Sequence, residues 1–212
     1  MIDINTLTGE ARKVLIVATL TQGGVIATPT DTVYGLLADA TNPEAVAKVF
    51  AIKGREDKKA LPVFLFDISW IEQFADITPP QRNFLERVWP GKVTAILKLK
   101  EKTTLAQNAI GRDNTCAFRV PDYPLVREIL GKFGKPLTGT SANMSGKPPC
   151  KNAQCVREQL AVILPDYIID KGILPDSLPS TILDLTKTPF AIIRRGAEDK
   201  KVGQLLLQLP SQ

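Results

Sequence analysis

The chain has 212 residues, of which 44% are hydrophobic, and it carries a formal net charge of +5 with a pI near 9.1. This length and composition predict one domain, residues 1–212, with a core of its own, and the positive charge favours anionic ligands, although the basic residues form no run typical of a nucleic-acid arm. The sequence contains no histidine, which excludes a nucleophilic triad of the usual kind and leaves few ligands for zinc or iron.

The cysteines and the termini indicate a reducing compartment. Cys116, Cys150 and Cys155 are odd in number and lack the paired spacing of a metal site, so we expect reduced thiols. The N-terminus has no basic segment followed by an apolar core, and no apolar run reaches membrane-spanning length. The sequence therefore predicts a cytoplasmic protein without a membrane partner.

Helix and strand patterns alternate from the first residues onward. An apolar stripe over residues 11–18 predicts a helix, and the apolar residues 25–27 predict a strand. The following segment, residues 28–32, contains a proline and three threonines that disfavour a regular ladder, and we interpret it as a first ligand loop. Asn42 followed by Pro43 predicts the start of a second helix.

The rest of the chain continues this alternation. Pro62 predicts that the strand at residues 61–66 lies at a sheet edge or begins irregularly, and Thr78 with Gln81 forms a capping signature. A second ligand loop is predicted at residues 140–143, where a strand ends. The remaining predictions are helices near residues 79–88, 124–130 and 152–160, and strands at 93–99, 116–120, 167–170, 181–185 and 190–193.

Two basic residues at the end of the second predicted helix suit a polyphosphate. Lys53 and Arg55 are two residues apart, so in an extended segment their side chains leave on the same side. Ser141 and Asn143 show the same spacing in the second loop. The alternative for the basic pair is an ordinary solvated helix end, where cations favour the helix dipole.

Arg119 is the most unusual charged residue in the chain. It lies in an apolar, strand-like segment, and a buried arginine needs a partner. That partner is a carboxylate of the protein or of a ligand, and the same reasoning applies to Arg194 after two isoleucines. For Thr30 and Thr32 the alternative to ligand binding is turn capping, and Ser180 alone would simply begin a strand.

Taken together, the motifs resemble the YrdC family in order and spacing from about residue 8 to residue 197. The motifs are PTDTVYGL at 29–36, KGR at 53–55, WPGKVT at 89–94, RVP at 119–121, TSANMSG at 140–146, TILDL at 181–185 and RRG at 194–196. The resemblance implies an α/β fold, a twisted mixed open sheet flanked by helices around a large basic cavity.

The resemblance also implies an activity, that of an L-threonylcarbamoyl-AMP synthase. Members use L-threonine, bicarbonate and ATP to form threonylcarbamoyl-adenylate and pyrophosphate, a nucleotidyl transfer. The product is handed to a threonylcarbamoyl transferase complex for modification of adenosine 37 in tRNA. Mg²⁺ is expected to arrive with ATP, held by phosphates and water, because the sequence presents no carboxylate cluster and predicts no metal site on the protein.

The resemblance also implies which residues contact the ligands, and both Lys53 and Arg55 are expected to point into the cavity as the catalytic pair. The implied ATP contacts are Lys53, Arg55, Lys59, Thr115, Ser141, Asn143, Pro149 and Arg194, and the implied L-threonine contacts are Thr30, Thr32, Arg119 and Ser180.

The chain departs from the family at one position and leaves other functions open. Members often place a histidine where this chain has Phe64. Three alternatives remain: the carbamoyl-adenylate chemistry of a related domain in hydrogenase-maturation proteins, a non-catalytic double-stranded RNA-binding protein, and an inactive or divergent paralogue that binds RNA or tRNA.

Overall fold

The structure is a computed structural model that describes residues 4–55 and 60–208. Its α-helices are α1 (Gly9–Thr21), α2 (Pro43–Lys53), α3 (Pro79–Val88), α4 (Pro124–Phe133), α5 (Ala153–Gln159) and α6 (Asp199–Leu207). Its strands are β1 (Ile26–Pro29), β2 (Tyr34–Leu37), β3 (Val63–Phe64), β4 (Val93–Lys98), β5 (Thr115–Arg119), β6 (Leu137–Thr138), β7 (Thr140–Ser141), β8 (Tyr167–Ile168), β9 (Thr181–Asp184) and β10 (Ala191–Arg194).

The strands form two mixed sheets rather than the one sheet that we expected. The four-stranded sheet has the order β7-β2-β1-β8, and the six-stranded sheet has the order β10-β9-β4-β5-β3-β6. They meet at Thr138, whose hydroxyl donates to Leu36 O (3.1 Å) and accepts from Ala38 N (3.0 Å). The mixed α/β class with flanking helices is confirmed, and the division into two sheets corrects its detail.

The six-stranded sheet has two faces of different character, because side chains alternate along each strand. One face packs against α3 and α6 in a core that includes Ala95, Phe118 and Leu183. The other face carries Thr94, Ala117 and their neighbours and forms the floor of a cavity. The polar side chains that alternate along β4 therefore include a cavity residue, Thr94, which is itself buried.

Local sequence signals set the helix ends as predicted. The Asn42 side chain accepts from Glu44 N and Ala45 N at the start of α2, with Pro43 in the first turn. Thr78 and Gln81 form a reciprocal capping box at the start of α3. These ends are confirmed because a cap depends only on residues within one turn of the chain.

Two predicted strands differ from the structure. Thr28 and Pro29 are not part of an irregular loop: they complete β1 and oppose Gly35 and Tyr34 of β2. β3 lies between β5 and β6, so the edge position predicted as one alternative is wrong, and the regular strand covers only Val63–Phe64 of the predicted residues 61–66. Pro62 is compatible with this interior position because it precedes the ladder and contributes only its carbonyl, which accepts from Gly139 N at 2.7 Å.

The prediction that all three cysteines are reduced is wrong for two of them. Cys150 and Cys155 form a disulfide with a Cα–Cα distance of 5.5 Å, because the turn into α5 brings residues five apart together. Cys116 is free and buried on the core face of β5, and burial raises the pKa of its thiol to about 12.

In the described part of the chain, every helix is too short or too polar to traverse a bilayer.

Candidate functional site

A cavity of about 420 Å³ lies over the floor of the six-stranded sheet and is bounded on its other side by β7 and the loop between β1 and β2. A shift in register between β9 and β10 near residue 193 brings two consecutive residues of β10 to it. The volume is in the range of small-molecule sites. Its lining comprises Thr32, Val33, Arg55, Ala60, Pro62, Phe64, Thr94, Ile96, Ala117, Arg119, Gly139, Thr140, Ser141, Pro149, Pro179, Ser180, Ile182, Ile193 and Arg194.

The charge of this lining is positive. Among the described residues that line the cavity, Arg55, Arg119 and Arg194 are charged and none is acidic. Burial lowers the pKa of the Arg55 guanidinium, and burial together with the nearby Arg119 lowers the pKa of Arg194. Guanidinium groups gathered in this way are stabilised by an anion, so the cavity favours a ligand with carboxylate or phosphate groups.

Lys53 joins the two motifs that the sequence places far apart. Lys53 is the last residue of α2, and its ammonium donates to the main-chain oxygens of Ser141 and Asn143, the latter at 2.9 Å. Ser145 N donates back to Lys53 O at 2.9 Å. Gly54 adopts φ +54°, and a Cβ there would lie 2.9 Å from Met144 Sδ. The helix end and the 141–145 turn are therefore one hydrogen-bonded unit.

This arrangement corrects the expectation that Lys53 points into the cavity. Lys53 is 3% exposed and lies outside the cavity lining. Burial, and to a lesser degree the charge of Arg55, lowers the pKa of Lys53 to about 8. The side chains of Lys53 and Arg55 do not leave on one side, because Lys53 is helical and Gly54 turns the backbone before Arg55.

Arg55 does reach the cavity. Its Nη2 donates to Ala60 O at 3.2 Å, and its guanidinium lies 6.0 Å from the ring centroid of Phe50. Its Nε is buried and has no hydrogen-bond partner among residues 4–55 and 60–208. A donor held this way has capacity for a ligand oxygen. Lys59, the third basic residue that we predicted at the phosphates, lies outside the described residues.

The other predicted ATP residues lie at different depths. Ser141 and Pro149 line the cavity. Asn143 is buried behind it, and its amide donates to Met144 O and Lys147 O, which closes the turn. Thr115 shares the face of β5 that carries Ala117 but lies beyond the lining, and its hydroxyl donates to Arg112 O at 2.8 Å.

The loop between β1 and β2 is a hydroxyl-bonded turn. Thr30 Oγ1 donates to Val33 O at 2.7 Å and lies 3.1 Å from Thr32 Oγ1. Thr30 is buried within the turn, as the capping interpretation predicts, whereas Thr32 lines the cavity. The turn therefore presents one of its two predicted hydroxyls to a ligand.

Arg119 has a protein partner in this structure. Its Nη2 lies 2.6 Å from Asp31 Oδ2, its Nε donates to Gly91 O at 2.8 Å, and its Nη1 lies 3.5 Å from Thr32 Oγ1. Burial lowers the pKa of the guanidinium, and the ion pair with Asp31 opposes that change. The residues alone left a protein or a ligand carboxylate open, and the resemblance favoured the ligand. The structure contains the protein carboxylate, and Arg119 also lines the cavity.

Ser180 and Arg194 form a second polar corner of the cavity. Arg194 Nη2 donates to Ser180 O at 2.8 Å and to Ser180 Oγ at 3.1 Å. The Ser180 hydroxyl lies 2.9 Å from that of Thr94. The structure therefore places both predicted residues at the cavity and adds Thr94, which we did not predict as a site residue.

Phe64 lies at the cavity floor, with its ring centroid 5.7 Å from the Arg119 guanidinium carbon. A Cβ at position 139 would collide with this ring, so the aromatic side chain requires glycine there. The position that often holds histidine in the resembled family is therefore filled by an apolar face that supports the arginine.

Sequence reasoning missed two polar residues, Asp31 and Thr94. Asp31 had a signal in the sequence, because it is the acidic residue between two threonines of the first ligand loop. The alternation along β4 shows that Thr94 lies on the polar face of the strand. It does not show whether that face meets solvent or a cavity, so Thr94 could not be identified from the sequence alone. For metals, no group of three or more potential His, Cys, Asp or Glu ligands occurs in the described ranges.

The fold and the site define an α/β protein with an arginine-lined cavity for an anionic small molecule. A model of the Sua5, YciO and YrdC proteins, described as "Telomere recombination", matches residues 18–196. This chain belongs to that family.

Three relatives illustrate the similarity. The threonylcarbamoyl-AMP synthase of Photobacterium profundum is 36% identical over 148 residues, which are 68% of this chain and 79% of that protein. The threonylcarbamoyl-AMP synthase of Bacillus subtilis (strain 168) is 35% identical over 185 residues, 87% of this chain and 53% of that protein. The structure of P. abyssi Sua5 complexed with L-threonine matches with a TM-score of 0.84 and 30% identity, covering 95% of this chain and 60% of that one. The chain thus spans little more than half of the two longer proteins.

Proposed function

We propose that the protein is a threonylcarbamoyl-AMP synthase that converts L-threonine, bicarbonate and ATP into threonylcarbamoyl-adenylate and pyrophosphate. The observation that carries this proposal is the cavity lined by Arg55, Arg119 and Arg194, in a fold that another family member uses to bind L-threonine. The three guanidinium groups provide positive charge for the carboxylate of an amino acid and the phosphates of a nucleotide. Relatives named as synthases support the enzyme over a non-catalytic RNA-binding paralogue.

L-Threonine fits the corner between the β1–β2 loop and the start of β9. Arg119 is the natural partner of its carboxylate, and Thr32 and Ser180 offer hydroxyl groups within the same lining. Thr30 supports Thr32 from behind through the contact between their hydroxyls. The amine of the substrate then faces the open part of the cavity.

ATP fits the opposite side, toward α2 and the 141–145 turn. Arg55 would bind phosphate oxygens on that side, and Ser141 and Pro149 line the adjoining wall. Arg194, which is bonded to Ser180, would bind phosphate oxygens at the border with the threonine corner. Lys53 and Asn143 contribute by holding the turn in shape, through the hydrogen bonds that they make to main-chain oxygens. Mg²⁺ enters as part of the ATP complex, because no carboxylate among the described lining residues offers it a ligand.

The reaction requires alignment of two anions more than it requires a nucleophile from the protein. The threonine amine adds to carbon dioxide derived from bicarbonate and loses a proton, which gives a carbamate. A carbamate oxygen attacks the α-phosphorus of ATP, and the bond to the β-phosphate oxygen breaks to release pyrophosphate. The arginines contribute by placing the reactants and by neutralising charge on the phosphates.

The product is an activated threonylcarbamoyl group, which a threonylcarbamoyl transferase complex would transfer to adenosine 37 of tRNA. The direct test is pyrophosphate release by the purified protein with ATP, Mg²⁺ and bicarbonate, in the presence and absence of L-threonine. We expect release that depends on threonine, with threonylcarbamoyl-AMP identified by mass spectrometry. Pyrophosphate release that does not depend on L-threonine would indicate the carbamoyl-adenylate chemistry of hydrogenase-maturation proteins, and RNA binding with no release would indicate the non-catalytic paralogue.

Arg55→Ala is expected to raise the KM for ATP about 10-fold or more, because a charge-assisted hydrogen bond contributes about 1.5–3 kcal/mol. The KM for L-threonine should change little, since Arg55 lies on the ATP side. Steady-state rates with each substrate varied separately measure the two constants. Arg157→Ala removes an exposed arginine on α5 and serves as the matched control. An unchanged KM for ATP in Arg55→Ala would refute the phosphate assignment.

A further inference from the structure

Asp31 is a buried carboxylate that stands behind the cavity and outside its lining. Its side chain is 6% exposed, and its Oδ2 lies 2.6 Å from Arg119 Nη2 and accepts from Asp122 N at 3.1 Å. Its Oδ1 is buried and has no hydrogen-bond partner in the described ranges. Burying a carboxylate with an unpartnered oxygen is energetically unfavourable, so the position of Asp31 indicates a role other than filling space in the core.

The contacts of Arg119 supply that explanation. Asp31 Oδ2 forms an ion pair with Nη2, although the geometry is not that of a hydrogen bond, and the carbonyl of Gly91 accepts a hydrogen bond from Nε. The ring of Phe64 lies 5.7 Å from the guanidinium carbon. The remaining nitrogen, Nη1, is directed toward Thr32, a residue of the cavity lining, at a distance of 3.5 Å. The guanidinium is therefore fixed on two edges and one face, and its Nη1 edge is the one turned to the cavity.

We propose that Asp31 is a positioning residue for the amino-acid substrate: it holds the Arg119 guanidinium so that the Nη1 edge receives the substrate carboxylate beside the Thr32 hydroxyl. This inference rests on the proposed function. Asp31 acts through Arg119 and touches no substrate atom itself. The substrate carboxylate is received at Nη1, because Nε donates to Gly91 O and Nη2 lies against the Asp31 carboxylate.

The charges of the site support the same assignment. Burial, and to a lesser degree the charge of Arg119, lowers the pKa of Arg194, so the two guanidinium groups lie near each other. In the ligand-free site, Asp31 supplies the negative charge that keeps Arg119 stable in a buried position. A substrate carboxylate then brings a negative charge to the side of Arg119 that Asp31 does not occupy.

A different role for Asp31 is purely structural, since its bond to Asp122 N also ties the β1–β2 loop to the segment before α4. The two roles predict different ligand selectivity. A structural role weakens the binding of L-threonine and of L-threoninol, which lacks the carboxylate, to the same degree. The positioning role weakens L-threonine alone, because only the carboxylate uses Arg119.

The experiment measures Kd for L-threonine and for L-threoninol by calorimetry, and the KM for threonine and ATP, in four proteins. These are the unmodified protein, Asp31→Asn, Asp31→Glu and the control Asp122→Asn, which removes an exposed carboxylate nearby and keeps the backbone N–H. Asp31→Glu keeps a carboxylate for the ion pair, and we expect it to fold, but its side chain is one methylene longer and so shifts the Arg119 guanidinium. If Asp31→Asn does not fold, the result for Asp31→Glu distinguishes the positioning role from the structural role.

We expect the unmodified protein and Asp122→Asn to prefer L-threonine over L-threoninol by at least about 10-fold. In Asp31→Asn and Asp31→Glu this preference should fall to less than about 3-fold, with the KM for ATP unchanged. A preference retained in the Asp31 variants would overturn the positioning role. If the unmodified protein neither binds L-threonine nor releases pyrophosphate, the proposed function fails instead, and the two failures are distinguishable.

Discussion

Arg119→Leu is expected to weaken L-threonine binding strongly while ATP binding is largely retained. Arg119 is 3% exposed and lies in the corner proposed for threonine, whereas Arg55, Ser141 and Pro149 line the wall proposed for ATP. A charge-assisted hydrogen bond to a carboxylate contributes about 1.5–3 kcal/mol, so the Kd for threonine should rise by about 10- to 150-fold when it is lost. Calorimetry with each ligand separately measures the two affinities.

The control for this experiment follows from the ion pair. Arg119→Leu leaves the Asp31 carboxylate buried without its partner, which by itself is destabilising. The double variant Asp31→Asn with Arg119→Leu removes both charges and should regain stability without regaining threonine binding. Normal threonine affinity in a folded Arg119→Leu protein would mean that Arg119 serves only the protein carboxylate.

Lys53→Met is expected to lower adenylate formation about 10-fold or more, although Lys53 lies outside the cavity lining. The substitution deletes the donor that holds the main-chain oxygens of Ser141 and Asn143, so the turn that forms the ATP wall loses its anchor. Lys48→Met, which removes a lysine from the same helix that donates to Gly23 O, is the matched control and should retain activity. Equal rates in both variants would contradict the anchoring role.

The same lysine should also be visible in the pH dependence of stability. The pKa of Lys53 is about 8 in the folded protein, against an ordinary value of 10.5. Between these values the unfolded chain binds more protons, so the free energy of unfolding of the unmodified protein rises relative to that of Lys53→Met as pH increases from 8 to 10.5, by up to about 3 kcal/mol. Denaturant unfolding of both proteins across this range measures the difference. A constant difference would show that Lys53 keeps its ordinary pKa.

Features that depend on neighbouring residues were predictable from the sequence. The caps at Asn42 and Thr78 need only one turn of chain, and the structure has both. The pairing of strands was not predictable in this way. The interior position of β3 and the division into two sheets depend on contacts between residues far apart in the chain, and α6 was not predicted at all.

The site was predictable in composition but only partly in geometry. The buried arginine in an apolar strand predicted a carboxylate partner, and in the structure this partner is Asp31 of the first ligand loop. The opposite case is Lys53, whose direction depended on whether the chain was extended or helical at that point. Because α2 continues through Lys53, the side chain turns inward to the main chain of a distant loop, which no local pattern could indicate.

The two faces of the six-stranded sheet have different roles, so neighbouring residues of one strand contribute either to the stability of the fold or to the choice of ligand. On β4, Val93, Ala95 and Leu97 belong to the core, while Thr94 and Ile96 face the ligand space. Substitutions at successive positions therefore report on different properties, and a systematic scan of this strand should read out folding and ligand preference at alternate residues. A descendant of this protein could change its substrate by altering every second residue of the floor, with the hydrophobic packing beneath left as it is.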